Sequence, residues 1–511
     1  MTQKTNVSEQ FRLRSFIKVL EKEGELEVHD EAIDLIDVGQ HLDSNLKAVL
    51  FNKPGGSELG LIGNVMGGRR RMALAFGVPQ EELLSEVLRR LSKPIAPVEI
   101  SSESAPVHEI VWTGEDADFT RLPVHLQHAG DGAPYISASI DITQSLDGKR
   151  RNVGYRRLML RGRKEAGVDV IAPSDLRSMF ATYVDQKKRM PIAFVVGSHP
   201  ADCFAAVCMS PVDDEVALMG ALRQEAVPMV RCKTIDAMVP ADAELILEGY
   251  LDEGGWIEKE GPFGEFLGYN GMLKTNPVFH LTAITMRHDA VFQTATIGGR
   301  LLGRTDTAQL CALRTEATAW AALCTAVRDP VSIYCPPSCG GMFNVRVALR
   351  QRYPGEASNA ISAILGSTAD VKHVFVVDDD IDIFSDEQMD WAFATRLQAN
   401  RDISISSGYR AMPLDPSLDG QRTGSKAGFN LTLPFGRRHE PEFCVPEVAK
   451  MGVLGNETVL SALQRGPLSF LGLMEAVGSR DGRDVLIALD EIRATHGVGR
   501  TGEGRYILEK D

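Results

Sequence analysis

The chain has 511 residues, 44% hydrophobic and 24% charged, which is ordinary globular material with length for two to four domains. A net charge of -14 and a pI near 5.4 argue against a nucleic-acid surface or an anionic membrane as partner, since both need a basic field. No stretch approaches the ~20 uninterrupted apolar residues of a membrane span, and the opening MTQKTNVSEQ has no apolar signal core, so a cytoplasmic location is expected.

Leu13, Phe16, Ile17 and Leu20 repeat at helical spacing and Gly24 closes that helix, after which Leu26 and Val28 alternate as a strand. This predicts an N-terminal α/β domain over residues 1–105. It continues through a strand at Ala48–Phe51, a basic run Arg69–Arg71 and a helix over Glu81–Leu91, and it closes at the polar linker Ser101–Ala105. From Val107 to about Arg300 short alternating segments dominate, among them Ile136–Ile142, Leu158–Leu160 and Val278–Met286. They predict a barrel or split barrel with inserted helices over 106–306. Beyond Thr307, helical spacing returns in Leu310, Leu313 and Ala317–Leu323, and Val374–Val377 reads as a buried strand running into Asp378, Asp379, Asp380 and Asp382. Those acids are read as capping or interface groups. An α/β domain over 307–511 follows, ending in helices at Phe470–Glu475 and Val485–Arg493 suited to docking or subunit packing. Eight cysteines are scattered except for Cys335 and Cys339. Without a second Cys or His pair at ligand spacing, that pair reads as a loop, and free thiols are expected.

Two stretches carry chemistry. Glu260-Gly-Pro-Phe-Gly-Glu265 holds two carboxylates that a regular strand or helix keeps apart. Pro262 fixes φ, while Gly261 and Gly264 permit left-handed or bulged backbone, so the two Glu are expected to reach one space. The second stretch, Lys149 to Leu160, concentrates positive charge in an acidic protein, the pattern of a solvated face or a small-anion site. A bulge at Gly154 is expected to turn Asn152 and Arg157 toward a common ligand.

Asn152 and Arg157, followed by Glu260-Gly-Pro-Phe-Gly-Glu265, then Val376-Val-Asp-Asp-Asp-Ile-Asp382 and Trp391-Ala-Phe-Ala-Thr-Arg396, resemble the UbiD family of reversible decarboxylases. Val239-Pro-Ala leading to Leu247-Glu-Gly also matches. The family includes ferulic acid decarboxylase and the ubiquinone-pathway hydroxybenzoate decarboxylase. The resemblance implies a split-barrel domain that binds prenylated FMN, with a divalent metal (manganese, or magnesium) and a monovalent cation (potassium or sodium) at its phosphate. It implies a catalytic network of Glu260, Arg157 and Glu265. It places Asn152, Glu215 and Asp175 on metal-ligand positions, Asp175 standing where the family usually has a histidine. It places the cofactor along Asn152, Val153, Gly154, Tyr155, Arg156 and Arg157, with Ser174, Asp175, Glu215 and Lys372. Asp175 is a hard oxygen ligand suited to manganese or magnesium, and read from the residues alone it equally suits an N-cap. The segment just before Glu215 is shorter than in familiar members.

What the resemblance implies chemically is non-oxidative decarboxylation of an aromatic, heteroaromatic or α,β-unsaturated acid through a covalent adduct with the modified flavin, the electron sink that no side chain offers. Arg157 neutralises a carboxylate and Glu265 is the candidate proton donor, which requires burial to raise its pKa against that arginine. Pocket walls are expected from Thr294–Arg304 and Ile333–Phe343, with Arg300 and Arg304 available to a polar substituent. A flavin prenyltransferase is the implied cofactor supplier, and a homodimer or larger assembly through the third domain is implied. Two other readings stay open: an FMN oxidoreductase on the same barrel, and a decayed assembly subunit.

Overall fold

The computed structural model describes residues 9–208 and 212–509. The short segment before Glu215 runs through 209–211 and the N-terminal stretch through 1–8, so both readings lie in part outside the described residues. The chain forms two compact units, one up to Thr432 and one from Leu433 onward.

In the first unit, helix Leu13–Lys22 buries Leu13, Phe16, Ile17 and Leu20, the stripe its spacing foretells. Strands Leu26–Ile33, Ala48–Pro54 and Gly60–Gly63 form a small sheet that Val291–Gln293, from beyond the barrel, completes. The basic run is spent on ion pairs within the fold: Arg69 meets Glu316 at 2.8 Å and Arg71 meets Glu25 at 3.1 Å, while the exposed Arg70 meets Glu25 at 3.1 Å.

The centre is a closed barrel of six antiparallel strands in the order Leu245–Leu251, Met190–Val196, Tyr135–Gln144, Arg151–Leu160, Glu165–Val168 and Val278–Met286, the last pairing back to the first. Period-two alternation divides Met190–Val196, Arg151–Leu160 and Leu245–Leu251 between two cores, an extra residue between Ile136 and Ser139 does so in Tyr135–Gln144, and Glu165–Val168 and Val278–Met286 contribute to one core alone. Ile136, Leu158, Phe194, Leu247 and Phe279 share one. Ile140, Ile142, Val153, Val195 and Ile246 pack in the other, with Leu218 and Leu222 of helix Val216–Arg223.

Where Tyr135–Gln144 pairs with Arg151–Leu160, the register steps from Ile136 opposite Leu158 to Ser139 opposite Arg156. Ser137 and Ala138 thus face Arg157 two against one, so the irregularity lies in the neighbouring strand and not at Gly154. Gly154 is in regular register opposite Asp141, and it is glycine for room: a Cβ there would lie 2.5 Å from Asp141 Oδ1.

Helix Asp306–Ala326 leads into a five-stranded sheet in the order Pro330–Tyr334, Asn344–Leu349, His373–Asp378, Thr423–Asn430 and Ile403–Arg410. The acids after its central strand meet arginines: Asp380 holds Arg396 at 2.6 Å and Asp379 holds Arg350 at 2.7 Å. Cys335 and Cys339 are free thiols around a short turn. Among the described residues no helix is long and apolar enough to cross a membrane.

The second unit contains helices Val459–Arg465, Phe470–Val477 and Gly482–Arg493 and a hairpin of Val498–Arg500 with Tyr506–Leu508. Val459, Leu463, Leu473, Val485, Leu489 and Tyr506 make its core.

Candidate active site

Arg157 leaves its strand on the side opposite Asn152 and Arg156 and meets three carboxylates. Its Nε lies 3.1 Å from Glu260 Oε1, Nη1 3.1 Å from Glu265 Oε2, and Nη2 3.0 Å from Asp169 Oδ2. Glu260 ends strand Glu258–Glu260, and Glu265 follows the two-residue strand Phe263–Gly264. The turn between them carries Gly261 at φ +102°, a conformation that disfavours a side chain. Gly264 has no such φ; it is glycine because a Cβ would stand 2.3 Å from the His128 ring. Gly271 likewise leaves room for the Glu265 carboxylate, 2.7 Å from where its Cβ would be. The Phe263 ring lies with its centroid 4.4 Å from the guanidinium carbon, a cation–π floor beneath Arg157.

Sequence reasoning missed four members of this cluster. Lys274 Nζ reaches Asp169 Oδ2 at 2.8 Å and Glu265 Oε1 at 3.2 Å. The Tyr135 hydroxyl donates to Glu260 Oε1 at 3.0 Å, and Asn276 Nδ2 donates to Glu260 Oε2 at 3.3 Å. Asp169 stands just past a strand end, and the pairing of Glu258–Glu260 with Lys274–Asn276 brings Lys274 and Asn276 in. The single signal for Lys274 was its place shortly after the glycine-rich stretch. Three carboxyl groups thus meet one guanidinium and one ammonium, with Glu260 and Glu265 buried. Burial works against the Arg157 charge, but Glu265, Glu260 and Asp169 outweigh it and the guanidinium pKa is raised. Burial likewise opposes charge on Asp169 and Lys274, yet their partners win, lowering the carboxyl and raising the ammonium.

The predicted metal residues lie on or beside the start of strand Arg151–Leu160. Glu215 Oε2 accepts the Val153 N–H at 2.7 Å, and the backbone of Arg151 accepts the Glu215 N–H at 3.2 Å. Asp175 pairs with Arg150 at 3.0 Å. Asn152 Nδ2 donates at 2.8 Å to Asp141, a fully buried carboxylate that the sequence did not single out and that also meets Arg156 at 3.0 Å. Asn152 and Arg157 therefore do not turn toward one ligand, because five residues of regular strand put them on opposite faces. Ser174, not Asp175, caps helix Asp175–Asp185, its hydroxyl accepting the Arg177 N–H at 3.3 Å, so Asp175 keeps its carboxylate for other work. Burial pushes the Glu215 carboxyl up to about 7, opposed by the Val153 N–H and assisted by the charges of Asp141 and Asp175. A half-buried acid raised by desolvation and further by acidic neighbours is a place where a divalent cation restores balance, so the donor set fits a hard metal.

On the other face of this segment the Tyr155 hydroxyl is buried and, among the described residues, has no hydrogen-bond partner, which leaves it for a polar atom of a ligand. Lys372 is not brought to either cluster: its ammonium is committed to Asp415 at 2.7 Å and Ser417 at 2.6 Å, and it lines a cavity of about 330 Å³ in the third-domain sheet region. The loop Thr294–Arg304 does approach Glu265; a Cβ on Gly298 would stand 3.3 Å from the Glu265 carbonyl oxygen. Arg300 and Arg304 are exposed. Among the described residues, the His, Cys, Asp or Glu triple whose ligand atoms all lie within 4.8 Å of one another is Glu109, His288 and Asp289. It is exposed, contains none of the predicted ligands, and is internally paired through Glu109 and His288 at 2.6 Å.

Three family models match successive parts of the chain: the 3-octaprenyl-4-hydroxybenzoate carboxy-lyase N-terminal domain over residues 17–91, its Rift-related domain over 98–301 and its C-terminal domain over 308–431. Among solved structures, the UbiD-class enzyme HmfF from Pelotomaculum thermopropionicum in complex with FMN is 31% identical, covering 85% of this chain and 97% of that one with a TM-score of 0.80. An evolved dimeric form of HmfF in complex with prFMN is 29% identical, covering 86% and 97% at 0.77. The 3,4-dihydroxybenzoic acid decarboxylase AroY of Klebsiella pneumoniae, without ligand, is 25% identical, covering 86% and 98% at 0.79. The ordered succession of three matching models around a six-stranded barrel establishes that the chain belongs to the UbiD family of carboxy-lyases.

Proposed function

We propose that the protein catalyses reversible, non-oxidative decarboxylation of an aromatic, heteroaromatic or α,β-unsaturated carboxylic acid with prenylated FMN. The observation that carries this reading is the buried meeting of Arg157 with Glu260, Glu265 and Asp169 beside a separate acidic cradle for a cation. When bound, prenylated FMN supplies the electron sink for C–C cleavage. Val153, Gly154, Tyr155 and Arg156 would line its place, and Asn152, Asp175 and Glu215 would hold manganese or magnesium for it, with a monovalent ion completing the charge balance. Ser174 supports that cradle by fixing the start of the Asp175 helix. Lys372 would join only by leaving Asp415.

Arg157 orients the substrate carboxylate and fixes both glutamates, using a planar fork that lysine lacks. Glu265 delivers the proton that replaces CO2 on carbon and is recharged from solvent; Glu260, held by Tyr135 and Asn276, keeps Arg157 in place. Burial of the cluster excludes bulk water from the carbon that receives the proton. The enzyme is expected to work in a reducing cytoplasm, which suits eight free cysteines, to receive its cofactor from a flavin prenyltransferase and to assemble as a homodimer or larger.

The test is to produce the protein with a flavin prenyltransferase and manganese and to measure CO2 release from a panel of conjugated acids. Glu265→Gln should keep the flavin and lose about 10²-fold or more in turnover. Plain FMN with NAD(P)H turnover and no CO2 would favour the oxidoreductase; uptake of neither flavin would favour an assembly subunit.

A further inference from the structure

Residues beyond 431 lie outside all three family models, yet they fold into a unit with its own core. Its order is helix Val459–Arg465, a single bridge of Leu468 to Tyr506, helix Phe470–Val477, a four-residue turn opening on Gly478 at φ +72°, helix Gly482–Arg493, then the hairpin. This is the order of a winged helix-turn-helix, an architecture that presents the helix after the turn to a partner. Here Val485 and Leu489 of that helix are buried, while Leu486 and Ile487 stand 53% and 61% exposed on its other side. Arg483 precedes them and Asp490 and Glu491 follow, all exposed, so positions i, i+3, i+4, i+7 and i+8 make one stripe that runs basic, apolar, acidic.

Duplex DNA is a poor fit for that stripe. Residues 459–509 carry six arginines and no lysine against seven carboxylates, and two aliphatic side chains occupy the middle of the presented helix. A second copy of the same helix is a good fit. Turned antiparallel about a two-fold axis, Leu486 and Ile487 of two chains cover each other, and Arg483 of each falls beside Asp490 and Glu491 of the other. Arg483 is now bound to Asp481 in its own turn, with Nε at 3.0 and 2.9 Å from the two carboxylate oxygens, and it exchanges that exposed pairing for the intermolecular one. We propose that the C-terminal unit is a self-association module in which helix Gly482–Arg493 pairs antiparallel with the same helix of a second chain.

The test uses the full chain with its exposed Cys324 and Cys444 changed to serine. Ile487→Cys, and separately Leu486→Cys, should form an intermolecular disulfide under mild oxidation about a hundredfold faster than Glu503→Cys in the hairpin loop, because pairing replaces collision with an intramolecular step. Adding Arg483→Glu should slow that cross-link, and adding Asp490→Arg with Glu491→Arg to it should restore the rate. Cross-linking of both helix variants no faster than at Glu503 overturns the proposal. So does insensitivity to Arg483→Glu, or a duplex-DNA shift at physiological salt that Arg483→Glu abolishes while the chains do not cross-link.

Discussion

Replacing Arg157 with methionine tests the central cluster most directly. The guanidinium contacts Glu260, Glu265 and Asp169 at 3.1, 3.1 and 3.0 Å, and its side chain is only 14% exposed. Lys274 still reaches Asp169 and Glu265 in the variant, but Glu260 keeps only the neutral donors Tyr135 and Asn276. Removing one partner of a buried pair costs about 3–5 kcal/mol, because the remaining charge stays in a poorly solvated place. At pH 8, for the unit that ends at Thr432, that corresponds to a fall in Tm of roughly 3–6 °C. A stranded carboxylate escapes the penalty by taking up a proton, so the loss should shrink when the same comparison is made near pH 5. Arg157→Lys should restore little, since one ammonium cannot span the three positions. Calorimetric unfolding of both variants beside the parent at the two pH values is the assay. A loss under about 1 kcal/mol at pH 8, or an equal loss at both pH values, would refute the idea that Arg157 neutralises buried carboxylates.

Other outcomes follow from the same geometry. Gly154→Ala puts a methyl 2.5 Å from Asp141 Oδ1, whose carboxylate Asn152 and Arg156 hold in place, and should cost about 1–3 kcal/mol in unfolding free energy; a neutral result would mean that Asp141 moves freely. Asp169 has its pKa lowered from 3.8, so its stabilisation is full above that unfolded value and disappears as pH falls through the lower folded one. Asp169→Asn should therefore flatten the acid limb of a Tm-against-pH curve below about pH 4, and a limb parallel to the parent's would contradict the pairing. Glu215→Gln and Asp175→Ala should each reduce manganese retained after gel filtration, by about tenfold or more in affinity for the loss of one anionic oxygen ligand. Full manganese content in both variants, measured by elemental analysis, would move the metal elsewhere.

Much of this protein was determined by local sequence alone. The helix Leu13–Lys22, the alternating barrel strands and the helix Asp306–Ala326 follow from apolar spacing, which depends only on near neighbours along the chain. That Glu260 and Glu265 reach one space was legible because Gly261, Pro262 and Gly264 stand between them, whereas the place of Arg157 beside them was implied only by the family resemblance. Tertiary structure alone decided that Asp169, Lys274, Tyr135 and Asn276 join them, since strand closure brings these residues together from positions up to about 140 apart in the chain. It also decided that Gly154 makes room for Asp141, that Ser174 caps where Asp175 was a candidate, and that Lys372 pairs with Asp415. Each of those outcomes is set by which atoms arrive within a few ångströms across strands or loops, and residue spacing carries no record of that distance.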